Sequence, residues 1–180
     1  MSLFETPTLP PSVPGLRLER ILRQKALHVG VVFVEGSQAV GQIAKRAKRR
    51  QVSGAILQTA GGPRECKADV VLLATGGVLH GGLISRQDGR FQESVFDLPV
   101  SHNQNRAKWT TVLPLDAQPY SVYGLTVSDR MQPLNVDGKP IFDNLFAAGG
   151  LLAGADRGME GSRQGIDLAT AYRAIEAALL

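Results

Sequence analysis

Two glycine clusters follow apolar runs in this sequence and could place main-chain atoms against a ligand. The first is Thr75-Gly76-Gly77, which ends the apolar run over residues 70–74. Glycine lets a strand end abruptly and removes side chains that would block a flat cofactor. Thr75 can hydrogen-bond a phosphate, a sugar or its own backbone. A strand that simply enters a tight turn explains this motif equally well.

The second motif occupies residues 144–180 and has three features in order. Residues 144–148 predict a buried strand, Gly149 and Gly150 open a flexible elbow, and residues 161–166 lead into an alanine-rich helix. The free amides and dipole of a helix N-terminus favour an electron-rich group such as a reduced flavin. The alternative is a ligand-free helix capped by Ser162.

The two motifs together define the candidate cofactor-binding residues. They are Thr75, Gly76, Gly77, Gly149, Gly150, Gly161, Ser162, Arg163, Gln164, Gly165 and Ile166. Within this set, the guanidinium of Arg163 can reinforce stabilisation of a reduced flavin.

No catalytic acid or base emerges from the remaining residues. His80 follows the glycine turn and could meet a substrate phosphate or relay a proton, but a histidine that satisfies its own loop is the favoured interpretation. His28 lies at a helix end, where the dipole accounts for it, and His102 receives no assignment. The aspartates are too far apart in sequence to indicate a carboxylate pair.

Composition limits the classes of protein that fit. The chain has 180 residues, 43% of them hydrophobic, and no apolar run long enough to span a membrane. It begins without a signal-peptide pattern, so we expect a cytoplasmic protein. Cys66 is the only cysteine, which excludes an internal disulfide and a thiol pair for zinc or an iron–sulfur cluster, so no metal site is expected. Redox chemistry would require an organic cofactor.

The elements that must position these motifs follow from periodicity. We expect an extended proline-rich connector over residues 7–15, then an amphipathic helix from Leu16, and a short strand at 31–34. Residues 40–44 and 52–57 predict a hairpin whose basic tip, residues 45–50, is interpreted as solvated rather than as a polyanion site. Residues 122–127 predict a further strand.

The fold class is therefore α/β, a partial FAD/NAD(P)-binding-type fold with parallel strands, a β-hairpin or meander and a C-terminal helix. The predicted organisation is a connector (1–15), the helix, hairpin and strand of a flavin-binding domain (16–90), an irregular inserted segment (91–123) and the C-terminal flavin-contacting part of the same domain (124–180).

Four segments are typical of a known family. They are Pro7-Thr-Leu-Pro-Pro-Ser-Val-Pro-Gly-Leu-Arg-Leu18, Ala68-Asp-Val-Val-Leu-Leu-Ala-Thr-Gly-Gly77, Gly81-Gly-Leu83 and Asn144-Leu-Phe-Ala-Ala-Gly149. Together they resemble the B subunit of bacterial anaerobic glycerol-3-phosphate dehydrogenase. The resemblance covers nearly the whole chain but only the later part of that protein, whose N-terminal Gly-x-Gly-x-x-Gly unit has no counterpart here. We therefore expect this chain alone to be inactive and to bind flavin weakly or not at all.

The resemblance implies oxidation of sn-glycerol 3-phosphate to dihydroxyacetone phosphate, with electrons passing to quinone during anaerobic respiration. It implies FMN as the flavin, with FAD as the alternative, and a complex with the catalytic A subunit and the membrane-anchoring iron–sulfur C subunit. The complex would be peripheral on the inner membrane. Related flavoproteins often carry an acidic residue at the position of Gly150, and relatives are richer in glycine at Ser162-Arg163-Gln164.

Three other functions are kept as alternatives. The chain could belong to another fumarate-reductase-like flavoprotein, which shares the Ala-Thr-Gly and terminal motifs. It could be a subunit-docking domain without its own chemistry. It could bind nucleic acid through residues 45–50, although no interleaved aromatic residues accompany that basic run.

Overall fold

The computed structural model describes residues 13–43, 50–114, 116–156, 159–162 and 164–180. They belong to two compact units, one ending at Gly36 and one beginning at Ser37. Most of the predicted proline-rich connector, all of the predicted basic tip except Arg50, and Arg163 lie outside the described residues.

The first unit consists of helix α1 (Val13–His28) and the segment that follows it. The helix begins before Leu16, so Pro14 lies in its first turn, where the missing N–H costs no hydrogen bond. Gly30, at φ +87°, ends the helix: its N–H donates to Leu27 O, and Val31 N–H donates to Ala26 O. This is a Schellman cap. Residues 13–15, predicted as part of the connector, are therefore helical.

The predicted strand at residues 31–34 is wrong. Val31 uses its N–H in the helix cap, and the segment pairs with no strand in the described part of the chain. It is held instead through Arg23, whose guanidinium stacks 4.5 Å from the centroid of the Phe33 ring and pairs with Glu35. A β-branched run becomes a strand only when a neighbouring strand accepts its hydrogen bonds.

The second unit opens with an antiparallel meander. It comprises β1 (Gln38–Ile43), β2 (Val52–Thr59) and β3 (Gly62–Lys67), in the order β1-β2-β3. Strands β2 and β3 join through a tight turn at residues 60–61, closed by a 2.7 Å hydrogen bond from Thr59 Oγ1 to Gly62 O. The hairpin predicted from alternation is confirmed, and a third strand extends it into a meander.

The meander is hydrogen-bonded to a turn whose backbone donates to a buried carboxylate. Strands β5 (Leu83–Ser85) and β6 (Phe91–Glu93) form an antiparallel pair that ends in Glu93, which is 0% exposed. Glu93 accepts hydrogen bonds from the backbone of Val95 and Phe96, at 2.9 and 2.7 Å. Burial raises its pKa above the ordinary value of 4.5. Val95 O in turn accepts from Gly41 N of β1.

A short parallel pair lies at the centre of the unit. Strands β4 (Val71–Leu73) and β7 (Leu145–Ala147) run in register, Val71 beside Leu145 and Leu73 beside Ala147. All three residues of β7 are buried, as expected for a parallel strand that is covered on both faces. Both strands occur where the apolar runs predicted them, and both lead into the glycine clusters.

Asn144 fastens this pair to the meander. Its side-chain amide exchanges two hydrogen bonds of 2.9 Å with the N–H and O of Val52, and a third of 2.7 Å runs to Asp69 O. The backbone carbonyl of Asn144 accepts a hydrogen bond from Val71 N. One residue therefore joins the starts of β2, β4 and β7.

Residues 94–134 contain little regular structure, whereas the segment predicted as irregular, residues 91–123, begins with strand β6. They pack around an aromatic cluster in which Phe91 lies 4.6 Å from Trp109 and 5.4 Å from Tyr123, measured between ring centroids. The strand predicted at 122–127 is wrong: a 3₁₀ turn (Pro119–Val122) comes first, and residues 124–127 make only isolated bridges. Each bridge has a different partner segment, so no ladder forms.

The chain closes with helix α2 (Gln164–Leu179), close to the predicted helix. Ala174 and Ala177 face the core, and Arg130 Nη2 donates to Ala177 O at 2.7 Å. Among the described residues, no helix is long and apolar enough to cross a membrane.

Replacement of Asn144 tests whether its side chain stabilises the packing of the parallel strand pair against the meander. Asn144→Ala removes three hydrogen bonds and leaves backbone groups of Val52 and Asp69 without their partner, at a cost of about 2–4 kcal/mol in unfolding free energy. Chemical denaturation monitored by circular dichroism would measure it.

Asn135 provides the matched control, because its side chain accepts similar hydrogen bonds from Asp137 N and Lys139 N in an exposed turn. Water can replace those bonds, so Asn135→Ala should cost less than about 1 kcal/mol. Equal losses in the two variants would contradict the account.

Candidate functional site

A cavity of about 810 Å³ opens where the chain leaves β4 and β7. It brings together three of the predicted site residues, Gly77, Gly150 and Gln164. The other lining residues are Val78, Leu79, His80, Asp116, Ala117, Gln118, Tyr120, Ser121, Tyr123, Ala155, Asp156 and Met159. Ligands of open parallel sheets bind at the carboxyl ends of the strands, and this cavity occupies that position.

The two glycine clusters meet backbone to backbone. A Cβ atom placed on Gly77 would lie 2.7 Å from the carbonyl oxygen of Gly150. The turn after β4 is equally close-packed, since Gly76 has φ +75° and a Cβ atom on Gly82 would lie 1.9 Å from Gly76 O. No larger residue fits these positions without backbone movement, so the glycines set the shape of the cavity wall.

The elbow after β7 is tied to the first turns of α2. Gly149, at φ +74°, donates from its N–H to Thr170 Oγ1 at 2.8 Å, and Thr170 Oγ1 donates to Ile166 O at 2.6 Å. A Cβ atom on Gly149 would lie 2.7 Å from Asp167 Oδ1. The start of α2 is therefore held against the end of β7.

Thr75 precedes the turn and is half-buried. Its Oγ1 is buried and has no hydrogen-bond partner among the described residues. A buried hydroxyl without a partner is costly, so a polar ligand group at this point would relieve an existing deficit. Thr75 is not among the residues that line the cavity, so its contact with a cofactor stays a prediction.

The residues before α2 differ from the expected cap. The helix begins at Gln164, and the hydroxyl of Ser162 donates to Glu160 Oε2 at 3.3 Å, so it serves a neighbouring side chain. Ser162 O accepts from Gly165 N at 2.6 Å. Gly161 is exposed at φ +65° and lies outside the cavity lining.

Sequence reasoning missed one whole side of the cavity. Asp116, Gln118, Tyr120, Ser121 and Tyr123 all come from the segment without a recognisable period. Ser121 Oγ donates to Gln118 O at 2.6 Å, and Asp156 Oδ2 lies 3.3 Å from the same hydroxyl, so the segment contacts the chain beyond β7. Nothing in the spacing of these residues signals a shared surface.

The three histidines lie in three different parts of the structure. His80 lines the cavity, and a Cβ atom on Gly76 would lie 2.6 Å from its Cβ. His102 belongs to the aromatic cluster, and His28 ends α1 in the other unit. Among the described residues, no group of three or more His, Cys, Asp or Glu could hold a metal ion.

Comparison with known proteins bears on the identity of this site. Residues 1–165 match the family described as "FAD binding domain". The chain belongs to this family of FAD-binding domains. The match supports both the FAD-type fold and flavin as the cofactor. No solved structure matches the chain.

Two curated relatives of the chain carry a common name. The B subunit of anaerobic glycerol-3-phosphate dehydrogenase from Vibrio cholerae is 32% identical over 178 residues, which is 98% of this chain and 39% of that protein. A probable B subunit of the same enzyme from Halobacterium salinarum is 31% identical over 177 residues, 98% of this chain and 40% of that protein. The predicted resemblance is confirmed, and the chain spans about two-fifths of these relatives.

The cavity of this FAD-binding domain fits a flavin. Gly77 and Gly150 line the cavity and meet backbone to backbone, so main-chain atoms form this part of its wall, and Gln164, which also lines it, begins a helix. Asp167 in the first turn of α2 offsets part of the helix dipole, so a neutral polar group is favoured there as well. A bound flavin supplies the capacity to accept a hydride equivalent.

A methyl group on Gly77 should distort the cavity wall where Gly77 meets Gly150. We expect Gly77→Ala to weaken FMN or FAD binding at least about tenfold, a loss of about 1.4 kcal/mol, because the new Cβ displaces Gly150 O. Equilibrium titration of flavin fluorescence against protein at high concentration would measure it.

Gly61→Ala is the matched control, since the nearest atom to a Cβ there, Thr59 Oγ1, is 3.9 Å away. This variant should bind flavin as the unmodified chain does. Equal affinities for all three proteins would show that the Gly77 wall does not contact flavin.

Proposed function

We propose that this chain is part of the flavin-binding B subunit of an anaerobic, quinone-linked glycerol-3-phosphate dehydrogenase. The observation that carries the proposal is the contact between Gly77 and Gly150 at the wall of the cavity. It joins the two sequence motifs that resemble this flavoprotein, and the relatives with that name match nearly all of this chain.

In this proposal the residues predicted from the sequence hold the cofactor; three of them, Gly77, Gly150 and Gln164, line the cavity. Thr75, Gly76 and Gly77 lie beside its phosphate or sugar region, while Gly149, Gly150 and the turn over residues 161–166 approach the ribityl chain and the ring. FMN is the flavin by resemblance and FAD is the alternative. Because Gly150 has no side chain, no acidic group at that position reaches the ribityl chain, and main-chain atoms make the contact.

The chain's own residues bind and orient rather than catalyse. His80 is the only histidine among the described cavity residues, and Asp116 and Asp156 belong to the opposite wall and the segment after β7. The proposed reaction removes a hydride equivalent and a proton from sn-glycerol 3-phosphate and forms dihydroxyacetone phosphate. The acid–base groups for that step are assigned to the separate catalytic subunit, so this chain alone is inactive.

The proposed partners are the catalytic A subunit and the iron–sulfur C subunit, which anchors the complex to the cytoplasmic face of the inner membrane. Electrons pass from glycerol 3-phosphate to quinone in anaerobic respiration, with fumarate or nitrate as the final acceptor. The support for this arrangement is the shared name of the relatives, which designates one component of a larger enzyme.

Capture of the catalytic subunit tests the proposal. The tagged chain and the catalytic subunit of the Vibrio cholerae enzyme are co-expressed, with and without added FMN or FAD. We expect the catalytic subunit to be retained, and flavin to be retained with it in amounts that exceed those held by the chain alone. Gly77→Ala should reduce the flavin while leaving the captured protein unchanged.

The possible failures are distinct. Retention of the catalytic subunit with no flavin in any sample favours a docking domain without its own chemistry. Absence of both the catalytic subunit and flavin contradicts the proposal. The Gly61→Ala protein serves as the control for substitution at a glycine.

A further inference from the structure

The hydroxyl of Thr170 joins the end of strand β7 to the first turn of helix α2. It accepts a hydrogen bond from the backbone N–H of Gly149 at 2.8 Å and donates one to the carbonyl oxygen of Ile166 at 2.6 Å. A hydroxyl has one hydrogen to donate and lone pairs that accept, so both bonds form at the same time. We call these two hydrogen bonds the Thr170 latch.

Gly149 depends on this side chain for its hydrogen bond. The residue before it still follows the parallel pair, because Ala148 N–H donates to Leu73 O of β4 at 2.9 Å. At Gly149 the chain turns to φ +74°, and the N–H of this buried residue bonds to the side chain of Thr170 instead of to a neighbouring strand. A buried N–H that lost this partner would be costly.

The latch acts on two residues that line the cavity. Gly150 follows Gly149 directly, and Gln164 begins α2 two residues before Ile166. Both Gly150 and Gln164 line the cavity, whereas Thr170 does not. Thr170 can therefore influence a ligand of the cavity only through the positions of these two residues.

Close packing on one side leaves the latch as the restraint on the other. A Cβ atom on Gly149 would lie 2.7 Å from Asp167 Oδ1, so the first turn of α2 already contacts the elbow. The later turns of α2 are held separately, through Ala174 and Ala177 in the core. Loss of the Thr170 latch would therefore release the first turn of α2 while the rest of the helix stays packed.

We propose that Thr170 is a positioning residue of the flavin site, which sets the spacing between Gly150 and the first turn of α2. The amides of a helix N-terminus stabilise an electron-rich ligand only when the surrounding structure holds them in the productive geometry. A flavin that contacts the main chain at Gly150 meets those amides only while the Thr170 latch is closed. This inference deepens the proposed function and rests on it.

Three substitutions separate positioning from stability. Thr170→Val keeps the branched shape and removes the hydroxyl, whereas Thr170→Ser keeps the hydroxyl and removes only a methyl group. Thr59→Val is the matched control, since Thr59 Oγ1 donates to Gly62 O at 2.7 Å in the turn between β2 and β3, outside the cavity lining. Thr59 and Thr170 are both half-buried, so each Val variant loses a similar hydroxyl.

The test measures melting temperature and amide hydrogen exchange of the full chain without ligand, and flavin titration of the chain and of its captured complex with the catalytic subunit. Both Val variants should melt about 2–6 °C lower than the unmodified chain, because each loses a hydrogen bond. Only Thr170→Val should bind FMN or FAD about tenfold more weakly and exchange faster at the Gly149 amide. Thr170→Ser should restore the affinity to within about twofold.

Several results would overturn the positioning role. Unchanged flavin affinity in Thr170→Val, with binding still weakened in Gly77→Ala, would refute it and leave the proposed function intact. An equal loss of affinity in Thr59→Val would show that general destabilisation is the cause. Unchanged exchange at the Gly149 amide in Thr170→Val would show that the latch does not hold the elbow. Absence of flavin from both the unmodified chain and its captured complex would refute the positioning role and the proposed function together.

Discussion

The parallel pairing of β4 with β7 is the constraint on which the site depends. Because the two strands run in the same direction and in register, the glycine clusters that follow them emerge on the same side of the sheet. Parallel pairing needs support from elsewhere, and here Asn144 supplies it by bonding to the start of β2 and beside β4. The contact between Gly77 and Gly150 exists only while this pair is intact.

Much of this arrangement could be predicted from the sequence, since its signals are local. Continuous apolar runs that end in glycine indicated β4 and β7, alternation indicated the hairpin, and alanine-rich periodicity indicated α2. Residues 31–34 and 122–127 have strand-like composition as well, but their backbone groups find other partners, a helix cap in one case and isolated bridges in the other. Composition does not report which hydrogen-bond partners are available.

The site was predictable only on its glycine side. Gly77, Gly150 and Gln164 line the cavity. They could be predicted because two of them come shortly after recognisable strands and the third begins a recognisable helix. Tyr123 and Ser121 reach the same cavity through tertiary packing of an irregular segment, which the aromatic cluster around Phe91 holds in place. Such a surface depends on residues far apart in the chain, and no spacing rule encodes it. That the buried hydroxyl of Tyr123 has no hydrogen-bond partner among the described residues becomes visible only in three dimensions.

Whether the strand-end glycines form the wall of a flavin site is tested most directly by a map of amide chemical-shift changes on addition of FMN to the labelled chain. We expect the largest changes on Gly77, Gly150 and Gln164, while β3 and the turn at residues 135–139 stay unchanged. Shifts spread evenly over the surface, or centred on the meander, would contradict it.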